Sequence, residues 1–148
     1  MDIVLGLIGV GLVAIFLVQA SRIYAGALSH RMNLQDLRRH GKPHRAITEH
    51  ERRSLASYAA SLACLGNHAP SYRPVSDDVY LLQGVAEMRG FEFSGIHSEQ
   101  LSIAGVPVEL PFTLRDYLMH ENNKAEVVVA DRHALVLSLN GFRLPLLT

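Results

Sequence analysis

The chain has 148 residues, with 14 basic and 14 acidic side chains that give a formal net charge of zero. This length supports one modest hydrophobic core and excludes two independent domains. Beyond residue 53 the acidic side chains outnumber the basic ones, and no basic patch interleaved with aromatic residues occurs, which excludes nucleic acid as a partner. Cys64 is the single cysteine, which excludes an internal disulfide.

An apolar run from Ile3 to Ser21 opens the chain and carries no formal charge. As a helix rising about 1.5 Å per residue it would span roughly 28 Å, close to the ~30 Å hydrocarbon core of a bilayer. The run therefore predicts an N-terminal transmembrane helix over residues 1–28. The alternative is a cleaved secretory signal ending at Ala20, but the chain begins Met1-Asp2, without the basic residues that such a signal requires.

Basic residues follow the apolar run at once, and residues 22–53 carry a net charge of +5. Because positive charge beside a span stays in the cytosol, we expect a periplasmic N-terminus and a cytoplasmic domain. Residues 29–47, broken by Gly41-Lys42-Pro43, are predicted to form a basic juxtamembrane linker. Attraction to anionic lipid headgroups near this linker is expected of the membrane-proximal residues Arg22, Arg31, Arg38, Arg39, Lys42 and Arg45.

A helix begins the predicted domain, which covers residues 48–148. Thr48 and Glu51 have the spacing of a capping box, in which each side chain accepts a hydrogen bond from the other residue's backbone N–H. Apolar residues then recur every three or four positions from Leu55 to Leu65, and Gly66-Asn67 ends the helix. The stretch up to Asp78 is predicted to be a loop.

Strands are predicted in the middle of the chain, where β-branched residues and a two-residue period replace the helical pattern. Residues 79–82 and 85–93 indicate two strands, and residues 101–110 indicate a hairpin that turns at Ala104-Gly105. Pro111 then suits the first position of a short helix over residues 112–120. We expect this helix to direct towards the core the side chains of Phe112, Leu114, Tyr117 and Leu118.

The C-terminal third gives the clearest strand pattern. Residues 127–130 and 134–139 are predicted to be buried strands, and Asn140-Gly141 is typical of a type I′ turn into Phe142-Arg143-Leu144. The predicted fold class is α+β: an N-terminal transmembrane helix followed by one small mixed domain with a mainly antiparallel sheet and two helices.

No catalytic, cofactor or metal site is predicted. His40 and His44 have a metal-like spacing, but Gly41 and Pro43 between them prevent a helix from presenting both rings on one face. Nucleophile elbows, phosphate-binding loops and zinc-protease helices are absent from the sequence. We therefore expect no enzyme activity and no cofactor.

Several segments keep one order and spacing between about residue 45 and residue 144. They are the capped helix from Ile47 to Leu62, the strand Asp78-Val79-Tyr80-Leu81-Leu82, the block from Val106 to Pro111, Asp116-Tyr117-Leu118 with Glu121-Asn122, and the hairpin from Ala134 to Gly141. Together, behind the N-terminal apolar run, they resemble the first cytoplasmic module of the intracellular growth attenuator (IgaA/UmoB-like) family of inner-membrane proteins.

The resemblance implies a non-enzymatic regulator in the bacterial inner membrane. Family members restrain the Rcs envelope-stress phosphorelay by cytoplasmic contacts with a membrane histidine-phosphotransfer protein, and their cytoplasmic modules are small and β-barrel-like. They also have several spans, a second cytoplasmic module and a periplasmic sensing domain, for which this sequence has no counterpart. The resemblance thus favours a single-span inner-membrane protein whose cytoplasmic domain binds another membrane protein. Homo-oligomers are also compatible with the sequence.

The candidate partner-binding edge is Phe142, Arg143 and Leu144, because a terminal hairpin strand exposes unpaired backbone groups. The competing interpretation is that this strand is simply paired and covered by the tail at Leu146-Leu147. Two other roles also suit a small anchored domain: an immunity protein against a delivered toxin, or an accessory subunit of a membrane or secretion complex.

Overall fold

The computed structural model describes residues 13–18, 20–21, 32–64, 72–93 and 96–146. No helix among these residues is both long and apolar enough to cross a membrane, so the predicted fold class, with its transmembrane helix, is corrected. Residues 13–18 are helical. The other residues of the predicted 1–28 span, apart from 20–21, lie outside the described ranges.

The described domain mixes helices with one eight-stranded sheet. Its elements are α1 (residues 32–40), β1 (Arg45–Ala46), α2 (Glu49–Cys64), β2 (Asp78–Gly84), β3 (Ala86–Phe93), β4 (Ile96–Ile103), β5 (Val106–Glu109), a 3₁₀ helix (Phe112–Tyr117), β6 (Asn123–Val129), β7 (Ala134–Leu139) and β8 (Phe142–Arg143).

The strands run in the order β1-β2-β6-β7-β5-β4-β3, and β8 pairs with β7 beside β5. Neighbours are antiparallel except for β5 and β7, which are parallel. Only Val85 separates β2 from β3, and its carbonyl accepts a 3.0 Å hydrogen bond from the Ala104 N–H. A Cβ on Gly84 would lie 3.0 Å from the Ala104 Cβ. One long bent strand therefore closes the sheet on itself, and glycine permits the close approach.

Helix α2 begins with the predicted capping box. Thr48 N–H donates to Glu51 Oε2 at 2.9 Å, and Glu51 N–H donates to Thr48 Oγ1 at 3.3 Å. Leu55 and Tyr58 then bury one face of the helix against the sheet. The sheet's core is aliphatic, and its fully buried side chains include those of Ile103, Val127, Val128, Leu135 and Leu137.

Both predicted tight turns are confirmed by their backbone angles. Ala104 and Gly105 have φ of 52° and 76°, and Asn140 and Gly141 have φ of 52° and 91°. Two successive positive φ values define the type I′ geometry, whose twist matches that of the flanking strands. These turns fix the register of the β4–β5 and β7–β8 hairpins.

The region predicted to be a surface linker, residues 29–47, differs from that expectation. From residue 32 onwards it forms α1 and β1, and Leu34 is buried against the core. Asn33 Nδ2 donates a 2.9 Å hydrogen bond to the Gly105 carbonyl, which attaches α1 to the β4–β5 turn. Because Leu34 and Leu37 lie three residues apart, α1 has a short apolar stripe that packs on the domain.

The predicted helix over residues 112–120 is a shorter 3₁₀ helix, Phe112–Tyr117. Leu114 is buried as predicted, but Phe112 is 51% exposed and Tyr117 is 38% exposed, so their predicted core positions are wrong. A 3₁₀ helix has three residues per turn, so its side chains form rows three residues apart rather than an α-helical face. The row of Phe112 and Arg115 consequently faces solvent. Tyr117 lies three residues after the buried Leu114, and its exposed ring stacks on Phe142 instead of entering the core.

Candidate partner-binding surface

The three residues predicted as a binding edge have different environments. Phe142 is 48% exposed and Arg143 is exposed, but Leu144 is buried and its N–H donates a 2.8 Å hydrogen bond to the Leu137 carbonyl. Phe142 pairs with buried Leu139 and Arg143 pairs with Ser138. Since successive strand residues point to opposite faces, the side chains of Phe142 and Arg143 cannot contact a partner on the same face of the sheet.

Phe142 stacks on Tyr117, which sequence analysis placed in the core. The ring centroids lie 3.6 Å apart with an angle of 13° between the ring planes. Both rings keep a large exposed fraction, so the pair presents a flat apolar surface to solvent. We call this pair of residues the aromatic platform.

An amide network holds the aromatic platform in place. The fully buried Asn123 accepts from the Met119 N–H at 2.9 Å and donates to the Met119 carbonyl at 2.7 Å. Asn140 Nδ2 donates to the Tyr117 carbonyl at 2.8 Å and to Asn123 Oδ1 at 3.1 Å. Lys124 N–H donates to Asn140 Oδ1 at 2.8 Å. These bonds join the end of the 3₁₀ helix to the hairpin that carries Phe142.

The backbone edge of β8 is a poorer docking site than its side chains. The strand has two residues, and the 3₁₀ helix lies beside it, in contact through Tyr117. Strand addition gains affinity from a row of main-chain hydrogen bonds, which so short an edge cannot supply. The surface that this end of the domain offers is therefore the aromatic platform.

Arg45, predicted to be membrane-proximal, is engaged within the domain. Its guanidinium donates to Glu51 at 2.6 and 2.8 Å and to Glu126 at 2.8 and 3.1 Å. Burial would raise the pKa of Glu51, but hydrogen bonds from Arg45 and Thr48 outweigh it and lower the pKa to about 2. Hydrogen bonding from Arg45 also lowers the pKa of Glu126. Both carboxylates are therefore ionised at neutral pH, and we call these three residues the ionic cluster.

The other predicted basic residues are divided between described and undescribed parts of the chain. Arg38 and Arg39 on α1 and Lys42 after it are exposed. Arg22 and Arg31 lie outside the described residues. Within the described ranges no three side chains of the metal-binding types converge, and His40 forms a 2.8 Å pair with Asp36.

The sequence did not indicate that Tyr117 belongs to an exposed aromatic pair, or that Asn123 and Asn140 form the amide network that supports it. Asn140 was interpreted as a turn residue, which concerns the local backbone only. The hydrogen bonds that build the aromatic platform link positions 17 and 23 residues apart. No periodic pattern could have indicated them.

No protein-family model and no curated protein matches this chain. A solved structure described as "Shotgun proteolysis: A practical application" aligns with 68% of this chain and 92% of its own length. The sequence identity is 27% and the TM-score is 0.49. That likeness names no activity and supports no conclusion about fold or function.

Proposed function

We propose that this chain is a non-enzymatic, protein-binding module that acts at the bacterial inner membrane, and that its partner is another membrane protein. The observation that carries the proposal is the aromatic platform of Tyr117 and Phe142, which is exposed yet held by the amide network of Asn123 and Asn140. The resemblance to the intracellular growth attenuator family suggests a regulatory role and a component of a phosphorelay as the partner.

The aromatic composition and the fixed conformation of this surface favour the binding of a partner. Aromatic side chains supply large contact area at low entropic cost and are enriched among the residues that dominate interface energies. A surface already fixed before association loses little conformational freedom when a partner docks. The aromatic platform meets both conditions, since its rings are stacked and its backbone is hydrogen-bonded on both sides.

The test is a comparison of partner capture by three variants of the tagged chain, expressed in bacteria and purified from detergent-solubilised membranes. Phe142→Ala and Tyr117→Ala remove halves of the aromatic platform. Met88→Ala is the matched control, because Met88 is 62% exposed on β3, a strand that does not pair with β8. Truncation of a hot-spot residue of an interface costs about 2 kcal/mol or more, which is about thirtyfold in affinity.

We expect one membrane protein to be retained by the unsubstituted chain and by Met88→Ala, and to be lost from both platform variants. Equal retention by all variants, or loss from Met88→Ala alone, would contradict the proposal. The identity of the retained protein separates the regulatory role, which requires a phosphorelay component, from an immunity role, which requires a toxin. Thermal unfolding of each variant establishes that loss of capture does not reflect loss of fold.

A further inference from the structure

A concave surface is also present, and neither residue of the aromatic platform lines it. It is a groove of about 400 Å³ bounded by β4, β5, the end of the 3₁₀ helix and the turn between β6 and β7. This volume falls within the range of small-molecule sites, roughly 300–1,000 Å³. The apolar residues that line it are Met88, Leu101, Pro107, Val108, Leu110 and Leu118.

Two arginines also line the groove, Arg115 from the 3₁₀ helix and Arg132 from the β6–β7 turn. Neither forms an ion pair with another residue in the described part of the chain. A guanidinium presents several N–H donors in a planar fork that matches a carboxylate or a phosphate. The guanidinium groups of Arg115 and Arg132 line the same groove, and neither is paired with a carboxylate of the described residues. They are therefore suited to bind the anionic group of a ligand.

The groove's own carboxylates do not neutralise these arginines by direct contact. Glu109 Oε1 accepts a 3.0 Å hydrogen bond from the Tyr72 hydroxyl. Burial and the neighbouring Glu109 raise the pKa of Tyr72, so the phenol keeps its proton and remains the donor. Glu99, the other lining carboxylate, makes no ion pair with a described residue.

His133 adds an unused polar atom to the same wall. Its Nε2 is buried and has no hydrogen-bond partner among the described residues. Burial lowers the pKa of His133, so the ring is neutral at neutral pH and adds no charge to the groove.

We infer that this groove binds an organic anion, whose carboxylate or phosphate group pairs with Arg115 and Arg132 and whose apolar chain lies on the floor formed by Leu101, Val108 and Leu118. The site shares no lining residue with the aromatic platform. The apolar side chains of this floor favour a ligand with an apolar chain. Each methylene that the ligand buries there contributes about 0.8 kcal/mol to the free energy of binding, which is close to fourfold in affinity.

The test is a titration of the chain with four probes, followed by amide chemical shifts: sodium octanoate, octyl phosphate, sodium acetate and octyltrimethylammonium. We expect saturable binding of octanoate and octyl phosphate, with shifts at residues 100–101, 107–110, 115–118 and 132–133. Acetate, which lacks the chain, should bind at least tenfold more weakly, and the cationic probe should not saturate. Stronger binding of one anion identifies whether a carboxylate or a phosphate is preferred.

The double variant Arg115→Gln/Arg132→Gln should weaken octanoate binding at least tenfold. The control Arg73→Gln/Arg143→Gln removes the same charge from exposed positions that do not line the groove, and should bind as the unsubstituted chain does. Unchanged binding by the first variant, or equal binding of the cationic probe, would overturn the inference and indicate adsorption on apolar surface only. If the first variant fails to fold, the inference is tested by the amide chemical-shift changes of the unsubstituted chain on titration with octanoate. Changes confined to residues outside the groove would overturn the inference.

Discussion

The ionic cluster and the aromatic platform differ in where their side chains make contacts: within the fold at the first, and towards solvent at the second. At the ionic cluster Arg45, Glu51 and Glu126 turn their charges inward and satisfy one another, so a segment expected to face lipid is joined to the sheet. At the aromatic platform the amide network of Asn123 and Asn140 supports two rings that stay exposed. The first arrangement serves the fold, whereas the second uses hydrogen bonds to present apolar surface, which is what a docking site requires.

The largest expected effect on stability is at the ionic cluster. Arg45→Met should lower the free energy of unfolding by about 2–3 kcal/mol, because it leaves the carboxylate of Glu51, which is mostly buried, without its partner. Arg53→Met is the matched control: Arg53 forms an exposed ion pair with Glu49, and such pairs contribute about 0.5 kcal/mol or less. Urea denaturation of both variants at pH 7 measures the difference, and equal losses would contradict the assigned role of the cluster.

The same cluster predicts a pH dependence. The pKa of Glu51 is lowered from 4.5 to about 2 on folding, so its stabilising effect is complete above pH 4.5 and is lost as the pH falls towards 2. By linkage, the unsubstituted chain should lose about 2 kcal/mol more than Glu51→Gln between pH 6 and pH 3. The free energy of unfolding at the two pH values measures this, and parallel losses would show that Glu51 is not the titrating group.

The amide network predicts a combined effect on stability and on the platform. Asn123→Ala should lower the free energy of unfolding by about 2 kcal/mol, since it leaves the Met119 backbone groups without their partner. It should also broaden the ring resonances of Tyr117 and Phe142 in NMR spectra, because their support is lost. Gln83→Ala, at an exposed position of β2, is the control and should change neither quantity.

A smaller effect distinguishes the exposed basic residues from the engaged Arg45. Replacement of Arg38, Arg39 and Lys42 by Gln should weaken binding to vesicles that contain anionic phosphatidylglycerol, by about 1 kcal/mol per residue at low salt. A variant with Arg73, Arg89 and Arg143 replaced by Gln has the same net charge and should bind nearly as the unsubstituted chain does. Co-sedimentation measures both, and equal losses would contradict lipid contact near α1.

The features that depend on neighbouring residues could be predicted from the sequence. The capping box of Thr48 and Glu51 and the glycine-containing turns follow from local backbone chemistry, and the structure contains them. The packing of α1 was missed although Leu34 and Leu37 give its stripe, because a Gly-Lys-Pro break suggested an open linker. The predicted transmembrane helix is corrected within the described residues, where no helix is long and apolar enough to span.

Features that depend on distant residues could not be predicted. The pair of Arg45 and Glu126 joins positions 81 residues apart, and the parallel pairing of β5 with β7 brings together strands with the 3₁₀ helix and β6 between them in the chain. The candidate site has the same origin. Phe142 was identified as a candidate contact from its place in a terminal hairpin, but Tyr117 was expected in the core. Its exposed stacking on Phe142 joins residues that are distant in the chain.

The central claim, that the aromatic platform is the docking surface, is tested most directly by oxidative footprinting of the purified complex with its membrane partner. Tyr117, Met119 and Phe142 are exposed in the free chain, as is Met88 on β3. Complex formation should reduce the oxidation of the first three residues severalfold and leave the oxidation of Met88 unchanged. Protection of Met88 with unchanged oxidation of Tyr117 and Phe142 would contradict the claim.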